Sequence, residues 1–329
     1  MQGKQNTSDI QSDKQQGRVR DAPSSHWVYR LLPRGFWPYA QLARWDRPIG
    51  WKLLMWPCWW SAALVSVAGS HHGAQFMNVM PSLWHLFLFF IGAVAMRGAG
   101  CTYNDLVDHN IDSAVERTRS RPLPSRQVSR IQAKLFLLLQ CIIGLLVLLQ
   151  FNAFTINLGL GSIIIVAIYP FMKRITDWPQ FVLGLAFNWG ALMGWAAARG
   201  SLDWPPILLY IGSVMWTIGY DTIYAHQDKE DDALVGVRST ARLFGDKTKL
   251  ALTLLYSGML IFTLAAFLLA HIPSLAFVGL LLAFIHMIYQ IRVLDIDDHQ
   301  QCLKLFLSNS FLGFLIFAGL ILGGVWVSL

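Results

Sequence analysis

Of the chain's 329 residues, 55% are hydrophobic and only 14% are charged, where a soluble domain carries roughly a quarter. With a mean hydropathy of +0.45, this excludes an ordinary soluble protein and describes a polytopic membrane protein. The net charge of +7 reads as a topology signal and a preference for anionic headgroups; no basic face with interleaved aromatics stands outside the apolar stretches, which excludes nucleic-acid binding.

In chain order, residues 1–31 form a polar N-terminal tail. Its first 26 residues, rich in Gln, Ser, Asp and Lys, hold too few apolar side chains to build a core and are predicted disordered. No signal-peptide apolar region is present, and Asp9, Asp13 and Asp21 are at odds with an acid-poor transit peptide. A bacterial cell inner membrane is therefore the expected location, with the mitochondrial inner membrane as the alternative. Residues 32–329 read as one integral membrane domain. Its apolar stretches, each of about twenty residues and so able to cross the hydrocarbon, fall near 49–70, 82–100, 134–151, 153–171, 179–198, 204–222, 250–271, 273–291 and 305–327. The expected fold is all-α, a polytopic membrane protein of nine transmembrane helices.

With the N-terminus inside, every Lys and Arg except Arg199 falls on the inner side, which orients the chain by the positive-inside rule. The four cysteines, Cys58, Cys101, Cys141 and Cys302, are scattered without paired spacing and indicate neither disulfides nor zinc.

Two clusters interrupt the hydrophobic sequence. The first is Asn104-Asp105-x-x-Asp108-x-x-x-Asp112, and the second Asp221-x-x-Tyr224-x-x-x-Asp228-x-x-x-Asp232. Carboxylates beside a membrane are costly and mark functional sites. At about 100° per residue Asp105, Asp108 and Asp112 share a helix face, as do Asp221, Tyr224, Asp228 and Asp232, while Glu230 points away. The two inner loops that carry them are four spans apart, spacing that suggests a duplicated bundle with the clusters opposed over a shared cavity.

Crowded carboxylates call for a divalent cation with oxygen ligands, typically Mg²⁺ shared with substrate phosphates. Nearby basic residues, Arg117, Arg119 and Arg121 after the first cluster, Lys173 and Arg174 in the next inner loop, and Arg238 and Arg242 after the second, suit phosphate. Apolar walls beneath a diphosphate site imply a lipid-tailed substrate such as a polyprenyl diphosphate. Tyr224, Tyr103, Trp189 and Trp195 are candidates to shelter an allylic cation by cation–π attraction. Asn188, in the middle of a span, either lines the cavity or hydrogen-bonds between helices. An ion transporter is the rival reading, but its acids belong at the midplane on broken helices; here they stand at the inner ends of spans.

Together these motifs resemble the UbiA superfamily of intramembrane aromatic prenyltransferases. The satellites Arg44-x-Asp46-Arg47-Pro48-Ile49-Gly50, Met96-Arg97-x-Ala99-Gly100-Cys101, Arg117-Thr118-x-x-Arg121-Pro122-Leu123, Tyr169-Pro170-x-Met172-Lys173-Arg174 and Ser239-Thr240 are similar to its ubiquinone-pathway branch. The resemblance runs from about Leu32 to the C-terminus. It implies a nine-helix bundle with a cytoplasmic cap formed by the two Asp-rich loops, in which the Asp clusters hold Mg²⁺ and the prenyl diphosphate and the prenyl cation attacks 4-hydroxybenzoate ortho to its hydroxyl. Arg47 is the candidate for the acceptor carboxylate, Arg121 and Lys173 for diphosphate contact, with Asn104 and Asn188 beside the substrates. The family often carries Lys at the positions of Arg47 and Arg238, which keeps the charge. The menaquinone, haem and chlorophyll branches are the alternatives within the superfamily. Membrane lipid is the only other partner that the sequence names.

Overall fold

A computed structural model of the protein describes residues 17, 19, 26–47, 49–114, 118–234 and 236–329, without the side chains of Ile111, Ala114, Asp231 and Asp232. Among these residues the structure is helical throughout, with no strand. Each expected apolar stretch is helical over most of its length, but the count of nine membrane crossings is not reached by length and apolarity. Seven stretches are long and apolar enough to cross a membrane: Phe76–Val107, Arg130–Leu148, Ala153–Ile175, Pro179–Arg199, Thr240–Leu269, Ser274–Val293 and His299–Ser328.

The other two of the nine, Ile49–Val67 and Trp204–Ala225, are continuous helices that fall short of that apolarity. The first carries Lys52, Pro57 and four tryptophans, and the second Pro205, Pro206 and a run of Tyr, Trp, Ser and Thr. Some of the tryptophans bond to protein rather than lipid. Trp60 Nε1 donates to the Gly313 carbonyl at 2.7 Å and Trp216 Nε1 to Asn309 Oδ1 at 2.8 Å. A helix buried in protein gains nothing from aliphatic side chains facing outward. By contrast Arg130–Leu148 leaves Leu135, Leu138, Leu139, Ile142 and Leu145 exposed, as a lipid-facing helix should.

The chain forms two compact units. One comprises Met1–Trp51 with Val94–Leu145, the other Lys52–Ala93 with Leu146–Leu329. In the first, the end of the polar tail takes regular structure. Trp27–Leu31 is a helix, because Val28 and Tyr29 bury against Trp37 and Ala40, and the Trp37 indole ties the following turn by donating to the Leu32 carbonyl at 2.9 Å. A second small core of Leu42, Leu106, Leu123, Val128 and Ala133 packs the loop after the first Asp cluster against the helices on either side of it.

The second unit is built around Trp204–Ala225, started by Pro205 and Pro206 in its first turn, where a missing N–H costs nothing, and buried along most of its length. Its partner Thr248–Leu269 approaches closely at Gly219, where a Cβ would lie 2.4 Å from the Tyr256 ring. The Pro179–Arg199 stretch is two helices, Pro179–Phe187 and Gly190–Arg199, broken at Asn188-Trp189.

Candidate active site

In the first unit the helix Leu83–Val107 carries Asn104 and Asp105 on its last turn, and His109–Ala114 carries Asp112. Asp108 occupies the bend between them. The register survives that bend: the Asp108 N–H donates to the Asn104 carbonyl at 2.8 Å and the Asp112 N–H to the Asp108 carbonyl at 2.9 Å. Asp105, Asp108 and Asp112 are all buried, and Asn104 is half-buried. Three carboxylates withdrawn from water need compensation.

Two arginines supply much of it. Arg44 grips Asp105 bidentately, Nη1 to Oδ2 at 3.0 Å and Nη2 to Oδ1 at 2.6 Å. Arg121 reaches both oxygens of Asp112 at 3.1 Å and Asp105 Oδ1 at 3.5 Å. The loop that delivers Arg121 is fastened to the cluster, since Thr118 Oγ1 donates to the Asp112 carbonyl at 2.9 Å and the Arg121 N–H to the Thr118 carbonyl at 2.9 Å. Arg119 is exposed, and Arg117 lies outside the described residues.

Arg44 is held in an unusual backbone. The helix Trp37–Leu42 ends in a Schellman turn, with the Trp45 N–H on the Ala40 carbonyl at 2.9 Å and the Arg44 N–H on the Gln41 carbonyl at 3.1 Å. The left-handed residue of such a turn is usually glycine. Here it is Arg44, at φ +57°. An arginine retained where its backbone is strained is one whose side chain is needed. Its Nη1 also donates to the Gln41 carbonyl at 2.8 Å. Nothing in the sequence announced this residue as the partner of Asp105, which is 61 positions away.

Arg47 is half-buried, and its Nε donates to Oδ1 of Asp46 at 3.2 Å. Asp46 is fully buried and accepts the Tyr29 hydroxyl on Oδ2 at 3.1 Å. Burial, and then the neighbouring carboxylate, push the Tyr29 phenol above its ordinary pKa.

In the second unit Asp221 and Tyr224 stand on the last turns of Trp204–Ala225, and Asp228 ends the 3₁₀ turn His226–Asp228. All three are half-buried, and Glu230 is exposed. The 3₁₀ turn rotates later positions by about 60° relative to a continuous α-helix, an adjustment that uniform helical spacing does not foresee. The side chain of Asp232 lies outside the described set. His226 is buried and bonds Thr248 Oγ1 at 3.0 Å; burial, chiefly, pushes its pKa down to about 4, so the ring is neutral near pH 7.

The inner loop of this unit is laced to the motif helix. Thr222 Oγ1 and Thr240 Oγ1 lie 2.6 Å apart, and the Thr240 N–H donates to Gln180 Oε1 at 3.0 Å. Lys173, half-buried, is part of the same lacing through its carbonyl, which accepts the Arg238 N–H at 2.9 Å. Asn188, fully buried at the helix break, donates from Nδ2 to the Gly184 carbonyl at 2.8 Å and to Thr217 Oγ1 at 2.7 Å. Thr217 precedes Asp221 by one helical turn, so Asn188 meets the motif helix just beneath the acids.

Of the candidate aromatic residues, Tyr224 stands on the second motif with its ring 4.4 Å from Phe306. It continues a ladder of Trp60, Trp216, Tyr220 and Phe306, with neighbouring rings 4.9 to 5.8 Å apart. The spacing of Trp216, Tyr220 and Tyr224 at every fourth residue was the signal for it. Trp189 instead bonds the Leu158 carbonyl at 2.9 Å. Trp195 belongs elsewhere: its Nε1 donates to Asp203 Oδ2 at 3.0 Å, at the far end of Trp204–Ala225. That helix separates Asp203 from Asp221 by about 27 Å, too far for Trp195 to shelter a cation formed beside the acids. A cleft of about 470 Å³ lined by Asp203, Trp204, Pro205 and Leu269 lies at the same remote end.

The oxygen donors of the first motif suit a hard cation such as Mg²⁺. Both oxygens of Asp105 bond Arg44 and both oxygens of Asp112 bond Arg121, so a cation bound there would share these carboxylates with the guanidinium groups. Buried acids clasped by guanidinium groups on a membrane scaffold are a costly arrangement that packing alone does not require.

Comparison with known proteins agrees. A 4-hydroxybenzoate polyprenyltransferase, mitochondrial, of Aedes aegypti is 49% identical over 292 residues, covering 88% of this chain and 64% of that protein. A match of that length takes in both aspartate motifs, and the chain spans just under two thirds of that relative. The apo structure of a UbiA homologue from Aeropyrum pernix K1 shares the fold, with a TM-score of 0.67 at 23% identity, over 82% of this chain and 96% of the other. A UbiA homologue from Archaeoglobus fulgidus bound to GPP and Mg²⁺ superposes with a TM-score of 0.53 at 18% identity, over 88% and 99%. The model of the UbiA prenyltransferase family matches residues 54–324. The chain is a multi-pass membrane protein and belongs to the UbiA prenyltransferase family.

Proposed function

We propose that the protein transfers a polyprenyl group from a polyprenyl diphosphate to the ring carbon of 4-hydroxybenzoate ortho to the hydroxyl, releasing diphosphate, in ubiquinone biosynthesis. The observation that carries this reading is the near-half identity, through both aspartate motifs, with a protein of that activity. The allylic C–O bond breaks with its electron pair leaving on diphosphate, the ring supplies the electrons of the new C–C bond, and the ring proton is lost to solvent or a carboxylate.

Charge governs the difficult step. Leaving diphosphate gains negative charge as the bond breaks, so cations placed beforehand stabilise the transition state more than the ground state. Asp108 and Asp112 with Asn104 in the first motif, and Asp221, Asp228 and Asp232 in the second, would hold Mg²⁺; when bound, the metal supplies charge neutralisation of the diphosphate. Arg121 and Lys173 are the side chains we assign to diphosphate contact. Asp105, in this reading, keeps Arg44 and Arg121 in place. Tyr224 offers an aromatic face to the allylic cation. Arg47 receives the carboxylate of the aromatic acid, which needs a cationic partner on leaving water. Asn188 keeps the break in its helix aligned under the second motif.

The active-site face is the basic, inner face of the membrane. The relative's mitochondrial location favours a matrix-facing site, and a bacterial cytoplasmic face is the topological equivalent. Membranes containing the protein, incubated with ring-labelled 4-hydroxybenzoate, a polyprenyl diphosphate and Mg²⁺, should convert the label to a lipid-soluble product. Label that stays in the aqueous phase under these conditions, while the prenyl diphosphate is consumed on another acceptor, would overturn the assignment.

A further inference from the structure

Residues 17–47 precede the family-matched region, yet they contain a connected polar chain that ends on Arg47. Gln41 Nε2 donates to the Gly17 carbonyl at 2.8 Å and to the Tyr29 hydroxyl at 3.4 Å. Tyr29 donates to one oxygen of Asp46, and Arg47 Nε donates to the other. Gln41 and Asp46 are fully buried and Tyr29 is nearly so. The phenol is fixed from the other side as well, its ring meeting Trp37 edge-on at 5.1 Å.

We infer that Tyr29 and Asp46 are positioning residues that set how Arg47 meets the aromatic acid, with Gln41 bracing Tyr29. The inference rests on the reading that Arg47 takes the acceptor's carboxylate. A guanidinium recognises a carboxylate through a planar, directional pair of N–H groups, so its orientation matters as much as its charge. A long arginine side chain has ample rotamer freedom to lose. Gripping Nε restrains rotation of the guanidinium plane. The grip works only while Asp46 is itself fixed and its charge shared. The Tyr29 hydroxyl does both: it occupies Oδ2, so that Asp46 holds Arg47 by one oxygen instead of pulling the guanidinium into a closed bidentate pair. Without the hydroxyl, Asp46 competes with the substrate for the same N–H groups.

The test is steady-state kinetics on Tyr29→Phe, Asp46→Asn and Arg47→Ala, each with 4-hydroxybenzoate and with 4-methylphenol, which lacks the carboxylate. For Tyr29→Phe the KM for 4-hydroxybenzoate should rise about tenfold, the size of one hydrogen bond to a charged group, while the KM for prenyl diphosphate and the KM for 4-methylphenol stay where they are. Adding Tyr29→Phe to Arg47→Ala should have no further effect on the KM for 4-hydroxybenzoate. Gln41→Met, a milder change, should move it in the same direction by about two- to threefold, and it serves if Tyr29→Phe does not accumulate. If Arg47→Ala raises the KM for 4-hydroxybenzoate and neither Tyr29→Phe nor Gln41→Met does, the positioning role is wrong and the Arg47 reading stands. If Arg47→Ala leaves that KM unchanged, the Arg47 reading itself falls, and the inference with it. Equal losses toward both acceptors would reduce Tyr29 and Asp46 to structural bracing and overturn the inference.

Discussion

Arg44 brings together a backbone cost and a buried ion pair, and the two can be separated by substitution. Removing its side chain leaves the Asp105 carboxylate, which is fully buried, with Arg121 at 3.5 Å as the nearest guanidinium. Breaking one side of a buried pair costs about 3 to 5 kcal/mol, and because Arg121 remains, Arg44→Ala should fall at the lower end. Arg44→Gly loses the same ion pair but no longer holds a Cβ in the left-handed region, which recovers about 1 kcal/mol. Arg44→Gly should therefore be the milder of the two by that amount. In an Asp105→Asn background there is no charge to strand, and Arg44→Ala should cost about 1 kcal/mol or less, leaving a coupling energy near 2 kcal/mol. Reversible denaturant unfolding of purified protein in detergent micelles, or thermal inactivation ranked across the four variants, measures this. If Arg44→Gly proved more damaging than Arg44→Ala, the strained-turn argument would be refuted; a coupling energy near zero would remove the ion pair from the account.

Three other outcomes are expected. Asp228→Ala should lower kcat by a factor on the order of 10² to 10³, the usual cost of losing transition-state charge stabilisation, while the exposed Glu230→Ala should keep activity within about twofold; comparable losses would contradict the placement of the second motif. Thr240→Val deletes the hydroxyl that meets Thr222 and should destabilise the protein by about 1 to 2 kcal/mol with a larger KM for prenyl diphosphate, because the loop joined to Lys173 through Arg238 is loosened; an unchanged melting transition would dismiss the lacing. Chelation with excess EDTA should abolish transfer and Mg²⁺ should restore it, and full turnover in chelator would exclude a metal from both motifs.

Much of the helical architecture was legible from hydropathy, because lipid demands long apolar helices and the charges obey one topology. Where apolarity falls short, at Ile49–Val67 and Trp204–Ala225, aromatic and hydroxyl groups replace aliphatic side chains, some of them satisfied by neighbours such as Gly313 and Asn309. The acids of the motifs were visible as misfits in an apolar sequence. Their counterions were not: Arg44 and Asp105 meet through the fold, and an arginine near a membrane boundary looks the same whether it sets topology or clasps a carboxylate. Composition set residues 1–31 apart as a polar tail, and at its end Val28 and Tyr29 pack with Trp37 into a small core, while Gly17 offers its carbonyl to Gln41. Composition averaged over a segment hides a few well-placed apolar residues. At Trp195 the sequence suggested an aromatic near the chemistry, but only the pairing with Asp203 reveals which end of the bundle it occupies.

In the proposed reaction, buried acids and their arginines activate a diphosphate so that its prenyl group reaches a ring carbon of 4-hydroxybenzoate. The most direct test is to isolate the product made by purified protein in lipid with Mg²⁺, locate the prenyl group by NMR, and count the diphosphate released. One diphosphate is expected for each molecule of product, with the new bond at the carbon ortho to the hydroxyl and the carboxyl group intact. Prenyl ether at the phenol oxygen, or diphosphate released as prenyl alcohol accumulates without ring alkylation, would contradict it.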